Sequence, residues 1–295
     1  MPDSVPAMAT PSSEWPALSD VVAALRSAGC VFAEDEAALL RAEARTPQHL
    51  AELTARRVSG APLEHVLGWV AFSGLRIVVT PGVFVPRRRT ELLVDTARRV
   101  LDEQAHRPGP RRRSDGRRRG GRESVVVDLC CGSGAVGVAI ATAREPVELH
   151  AVDIDPVAVR CARRNIPMTL GQVHRGDLDE PLPSSLRGRV DILTANAPYV
   201  PTHALRLMPP EARQHEPRTA LDGGPEGLDL LFRVIALAPR WLAPGGAVLM
   251  EAGAAQGVAL AAALTAAGLT PTVVQDAERD ATVVSGSRAG EDPGG

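Results

Sequence analysis

One segment constrains this chain more than any other: Asp128-Leu-Cys-Cys-Gly132-Ser-Gly134-Ala-Val-Gly137. It begins at the end of the strand-like run 125–129 and opens a stretch with helical periodicity. Its glycines let the backbone turn tightly between the two elements and approach a ligand closely. A strand joined to a helix in this way belongs to a parallel sheet, and the rest of the chain repeats the alternation. Helical pattern covers 134–144, strand pattern 147–152 and helical pattern 156–165. A short strand near Val173 and a strand over 190–195 come next, then a long loop over 196–225. Helix 226–241, strand 247–252, helix 255–267 and strands over 272–275 and 281–285 complete the series. The expected fold is α/β, a doubly wound, Rossmann-like, seven-stranded sheet, mostly parallel. Its last two strands lack an intervening helix, so they form a hairpin with an antiparallel edge.

Upstream of this block the texture differs. Helical patterns start near Asp20 and Glu34, and Thr46-Pro47 reads as an N-cap followed by proline at the first helical position. Two apolar runs flanking Ser73-Gly74 read as a β-hairpin, and a helix covers 90–104. The expected organisation is a disordered N-terminus over 1–16 and a small helical domain over 17–65. A β-hairpin linker over 66–86, the α/β domain over 87–288 and a loose tail over 289–295 complete it.

Composition removes several classes. With 295 residues, 44% of them apolar, and a net charge of −2, the chain is no polyelectrolyte and no fibrous repeat. No apolar run reaches the roughly 18 residues that span a bilayer. The N-terminus shows no leader pattern. Cys30, Cys130, Cys131 and Cys161 have neither metal-ligand spacing nor the spacing of a disulfide framework. No metal and no membrane contact are therefore expected, and a reducing cytoplasm is the expected compartment. Residues 107–122 hold eight arginines against one aspartate, leaving about −9 elsewhere. The chain has 33 arginines, no lysine and only two asparagines, the signature of a high-GC coding sequence. The insert 105–123 accordingly reads as a solvated linker, capable at most of weak nucleic-acid contact, because it lacks interleaved aromatics.

A glycine-rich strand–helix turn serves NAD, FAD, a phosphate or S-adenosylmethionine. The loop lacks Gly-Lys-Ser/Thr, which excludes a P-loop. Asp128 stands before the glycines, where a pyrophosphate is repelled and a cationic amino-acid moiety is welcome. Asp153 ends the second strand, where a carboxylate can accept both ribose hydroxyls. This set favours S-adenosylmethionine. Asp177, after the third strand, can bond an adenine amino group, with Leu178 packed on the ring. Cys130 and Cys131 read as small packing residues.

After the fourth strand comes Asn196-Ala197-Pro198-Tyr199, uniting one of two asparagines with the only tyrosine. Ligands bind beyond the carboxyl ends of strands in open α/β sheets. The Asn196 side-chain oxygen and the backbone carbonyl of Ala197, stiffened by Pro198, are two acceptors for the two hydrogens of an –NH2 group. Tyr199 supplies a flat wall for a planar amide or base. The chemistry indicated is direct methyl transfer to nitrogen.

These residues carry a resemblance to the HemK/PrmC-type protein-(glutamine-N5) methyltransferases, whose known substrates are peptide-chain release factors. It covers roughly residues 18–288. Its markers are Pro62-Leu63-Glu64-His65-Val66-Leu67-Gly68, Phe84-Val85-Pro86-Arg87, Thr90-Glu91, the 128–134 loop, Asp153 and Asn196–Tyr199. Glu216–Leu221, Gly227-Leu228-Asp229, Pro244-Gly245-Gly246, Glu251-Ala252-Gly253 and Gln256 continue them. The resemblance implies that Asn196 and the backbone of Ala197 bind a glutamine side-chain amide while Tyr199 packs on it. It implies that Cys130, Cys131, Gly132, Ser133, Gly134, Asp153 and Leu178 hold S-adenosylmethionine. Thr90 and Glu91 would line a substrate cleft, and the helical domain would dock a release factor or another glutamine-bearing protein.

The sequence departs from the family pattern at three places. Ala197 stands where the family has proline, with some loss of rigidity. Arg89 replaces an acidic residue beside the cleft, which suggests a different substrate surface. The helical domain is short and the 105–123 insert unusual. These features resemble a divergent, actinobacterial-type branch. Two other readings stay open at this point: N-methylation of an amino group on a nucleic-acid base, and a cofactor-binding module without catalysis.

Overall fold

The computed structural model describes residues 14–106, 123–143 and 146–290. The chain divides after Gly68 into two compact units. Most of the 105–123 insert, nearly all of the 1–16 segment and the end of the tail lie outside the described residues.

The first unit is helical: α1 (Leu18–Ser27), α2 (Ala33–Glu43), α3 (Pro47–Val58) and α4 (Leu63–Leu67). Leu25, Ala37, Leu40 and Leu50 are fully buried among them. The hydroxyl of Thr46 accepts the His49 backbone N–H at 3.1 Å, and Pro47 opens the helix, as the sequence predicts. Arg57 and Glu36 form a buried two-point pair at 2.6 and 3.1 Å between α3 and α2. Val66 and Leu67 differ from the expectation of a hairpin beginning at residue 66. They belong to α4, because Val66 completes this unit's core and Gly68, at φ +81°, ends the helix.

The second unit opens with the expected hairpin, β1 (Trp69–Phe72) against β2 (Leu75–Val78). Ser73 and Gly74 both have positive φ, the turn geometry that matches strand twist. Helix α5 (Glu91–His106) comes next. A seven-stranded sheet then forms in the order β5-β4-β3-β6-β7-β9-β8. Its strands are β3 (Ser124–Leu129), β4 (Val147–Asp153), β5 (Gly171–Arg175), β6 (Val190–Ala195), β7 (Leu242–Glu251), β8 (Thr270–Asp276) and β9 (Ala281–Ser287). Only β9 runs against its neighbours, so the antiparallel hairpin at the edge is as expected. The strand β3 is apolar on both faces because both are covered. Val126 packs with α5 and α6 (Ala135–Thr142), while Val125 and Val127 pack with α9 (Asp229–Trp241) and α10 (Gly257–Ala266). Helix α7 (Pro156–Asn165) joins β4 to β5.

The long loop over 196–225 is more ordered than its pattern suggests. It contains 3-10 turns over Thr202–Leu207 and Arg218–Ala220, and the short α8 (Pro210–His215). Pro201, Pro209 and Pro217 each stand immediately before one of these turns, where a fixed φ helps a helix start rather than break. Helix α9 starts at Asp229 rather than near residue 226, because Gly224 and Gly227 hold left-handed φ values of +91° and +71°.

Candidate functional site

The chain steps from β3 to β4 and β5, then returns to the other side of β3 as β6. That reversal leaves a crevice at the carboxyl ends of the strands. A cavity of about 660 Å³ lies there, within the size range of small-molecule sites.

The glycine loop forms its floor. Cys130, Gly132 and Gly134 all have positive φ, and the Gly134 N–H closes a turn on Cys131 O at 2.7 Å. A Cβ on Gly134 would run into Ile166 at 2.8 Å, so only glycine lets α7 pack against the loop. The carboxylate of Asp153 spans two backbone N–H groups, Gly132 at 2.8 Å and Asp155 at 2.9 Å. Burial holds its pKa above the usual carboxylate range.

Asp128 is 1% exposed. One oxygen accepts the Gly137 N–H and the other the Thr194 hydroxyl, both at 2.9 Å. Burial pushes its pKa up to about 7, although both hydrogen bonds pull the other way. Asp128 therefore braces the start of α6 as well as lining the cavity. Burial likewise raises the thiols of Cys130 and Cys131, which makes them poor nucleophiles and agrees with a packing role.

Asp177 and Leu178 line the cavity beyond β5. Leu178 is buried and has φ +48°, a strained value for a branched residue. Asp177 pairs with Arg233 of α9 at 2.8 Å. Sequence reasoning did not find Arg233, which also lines the cavity.

Asn196 and Pro198 line the cavity, while Ala197 is 1% exposed. The Asn196 amide donates to the buried Thr90 hydroxyl at 3.4 Å, so Thr90 and Asn196 meet at one wall. Among the described residues the Asn196 side-chain oxygen accepts no bond. The Tyr199 hydroxyl donates to Glu251 at 2.7 Å. Its pKa is raised, first by burial and then by the Glu251 carboxylate, so the phenol stays protonated. Gln256 donates to Tyr199 O at 3.0 Å and Glu226 O at 2.9 Å, and accepts the Gly253 N–H at 2.8 Å. Glu91 does not line the cavity. Its carboxylate accepts the Ser73 N–H at 2.8 Å and so holds the hairpin turn.

The sequence reading gave no role to two further residues. Asn165 donates to Val78 O and Ser133 O, both at 2.8 Å, and accepts the Val78 N–H at 2.8 Å. It clamps the hairpin to the back of the glycine loop. Its scarcity in this chain was the available signal, since the other asparagine is Asn196. Glu216 pairs with Arg87 and accepts the Val85 N–H at 3.3 Å.

Residues 76–209 match the Methyltransferase small domain family. A release factor glutamine methyltransferase of Geobacter sulfurreducens is 36% identical over 215 residues, 71% of this chain and 68% of the relative. One from Mycolicibacterium smegmatis is 37% identical over 69% of this chain and 65% of its own length. A 4-amino-L-phenylalanine/4-methylamino-L-phenylalanine methyltransferase of Streptomyces pristinaespiralis is 35% identical over 72% of this chain and 68% of its own length. Among solved structures, the hMettl16 catalytic domain superposes with a TM-score of 0.53 at 14% identity, covering 88% of this chain and 83% of that one, a likeness of fold. With relatives at this identity and coverage, the chain belongs to the release factor glutamine methyltransferase family of S-adenosylmethionine-dependent enzymes.

Proposed function

We propose that this protein transfers a methyl group from S-adenosylmethionine to the side-chain amide nitrogen, N5, of a glutamine in a protein, with a peptide-chain release factor as the first candidate. The observation that carries the reading is the pairing of Asn196 with the buried Thr90 at the wall of the cavity. It turns one end of the Asn196 amide away and leaves the side-chain oxygen for a substrate N–H.

The residues present fit the cofactor. Ser133 lines the cavity and is 2% exposed, yet its hydroxyl has no partner among the described residues. A buried hydroxyl without a partner is costly and points to a polar ligand group. Asp153 and Asp177 present carboxylates from the ends of adjacent strands, suited to ribose hydroxyls and an adenine amino group. Cys130, Cys131, Gly132 and Leu178 line the floor that would hold the nucleoside, and Gly134, at positive φ, turns the loop behind them. Asp128 adds negative charge for the amino-acid end.

When bound, the cofactor supplies an electrophilic methyl on a sulfonium. The chain's own contribution is position. The Asn196 oxygen and the Ala197 carbonyl accept the two amide hydrogens and aim the nitrogen's lone pair at the floor of the cavity. Tyr199 bounds the amide plane, and Thr90 keeps Asn196 from turning. Placement of this kind supplies several kcal/mol of barrier lowering, on the order of 7–11 kcal/mol at best. We assign docking of the protein substrate to the N-terminal helical unit.

Identity alone leaves the acceptor open, since the arylamine-methylating relative is as similar as those named for release factors. Incubation with S-adenosylmethionine and a release factor bearing Gly-Gly-Gln, followed by intact-mass measurement and peptide mapping, decides. A mass gain of one methyl group on that glutamine is the expected result. Transfer to 4-amino-phenylalanine or to nucleic acid, with none to the protein, would overturn it.

A further inference from the structure

Arg89, where this chain departs from the family pattern, meets two further side chains, Glu251 and Tyr199. Glu251 is the last residue of β7, in parallel register with β6 through Ala195 and Met250, so it stands beside the strand end from which Asn196 leaves. It is 2% exposed. One carboxylate oxygen accepts both the Tyr199 hydroxyl at 2.7 Å and the Arg89 guanidinium at 3.1 Å. The other oxygen is buried with no partner among the described residues. Arg89 also lies 5.8 Å from the centre of the Tyr199 ring.

A buried carboxylate with one oxygen unsatisfied weakens a fold, and a packed apolar residue in its place commonly does better. Stability therefore does not explain Glu251. Its contacts do. Gln256 holds the Tyr199 backbone carbonyl at 3.0 Å while Glu251 holds the far end of the same side chain. With the backbone held at one end of the residue and the hydroxyl at the other, the ring keeps one position, and a planar acceptor needs one wall.

We propose that Glu251 is a positioning residue for Tyr199, and that Arg89 keeps the Glu251 carboxylate oriented for that task. The assignment rests on the reading of Asn196–Tyr199 as the acceptor-binding loop. Glu251 touches no reacting atom and acts through the tyrosine hydroxyl. The arginine that distinguishes this chain thereby acts on the substrate wall from behind, rather than only recasting the surface.

Tyr199 is the chain's only tyrosine, so tyrosine labelled with carbon-13 at Cζ gives one resonance that reports its hydroxyl bond without any substrate. In Glu251→Ala the resonance moves and broadens, in Arg89→Ala it moves less, and Glu251→Gln, which keeps an accepting oxygen, stays near wild type. On the release factor, Glu251→Ala and Tyr199→Phe each lower kcat by roughly ten- to a hundredfold. Calorimetry finds their cofactor affinity within about twofold of wild type. The double variant is no slower than either single one, because both remove one interaction. Glu251→Met, of similar volume, replaces the alanine variant should that not fold. An unchanged resonance in Glu251→Ala, a double variant slowed by the product of the single losses, or cofactor affinity falling in step with kcat would each overturn the proposal. Resonance changes as described, with no methyl transfer by the wild type, would remove the release-factor reading alone and leave the anchoring of Tyr199 standing.

Discussion

The hydroxyl of Thr194 donates to the carboxylate of Asp128 across 2.9 Å, tying the end of β6 to the end of β3 directly under the cavity. The partners lie 66 residues apart in sequence and both are buried, Thr194 completely. Thr194→Val keeps the shape and the strand preference but leaves one Asp128 oxygen short of a donor. We expect a loss of about 1–3 kcal/mol in chemical denaturation, larger than for an exposed threonine.

Asp128 also sets a pH dependence. Its folded pKa of about 7 lies above the ordinary aspartate value of 3.8, so the folded chain keeps a proton that the unfolded chain gives up. This contribution to stability is complete below the unfolded value and is lost as pH rises through about 7. A cation entering the cavity favours the ionised form, against the nearby negative charge of Asp153. Cofactor binding should therefore release part of a proton near neutrality and tighten as pH rises through that range. Calorimetry in two buffers of different ionisation enthalpy measures the release. Asp128→Asn should abolish it, and an unchanged release in that variant would exclude Asp128 as its source.

Asn196→Ala should abolish methyl transfer and leave cofactor affinity nearly intact, because Asn196 meets Thr90 on the acceptor wall. Single-turnover rates and equilibrium binding separate the two effects. Full turnover in Asn196→Ala would sink the amide clamp.

Gly227→Ala should be among the most damaging single-methyl additions. Gly227 has φ +71°, and a Cβ there would run into the Tyr199 carbonyl and approach the Gln256 amide at 2.7 Å. Left-handed strain and overpacking together cost roughly 2–5 kcal/mol. The damage should fall on the asparagine loop, so thermal melting and kcat should drop together.

The scarcity of asparagine and tyrosine in this arginine-rich chain is a stronger signal than any single motif. It leads to Asn196 and Tyr199, and the same reasoning applied to Asn165 would have found the clamp behind the glycine loop. Proline is misleading in the 196–225 loop. Pro201, Pro209 and Pro217 look like breaks, yet each precedes a short helical turn. A proline that ends an element and one that starts a turn are told apart only by the residues after it, and short turns carry too little periodicity to announce themselves.

Apolar periodicity and turn chemistry act between near neighbours. They are enough to order the strands and helices along the chain, to mark the glycine turn, to end a strand at Asp153, and to place Asp177 and Asn196 after strands. The duties of these groups come from contacts that local pattern does not reach. Arg233 meets Asp177 across 56 positions, and Tyr199 meets Glu251 across 52. Sheet order makes such pairs neighbours, and no short stretch of residues encodes it. Burial then sets the protonation of Asp128 and keeps the Tyr199 hydroxyl protonated, because the cost of a charge depends on how much water the finished fold excludes.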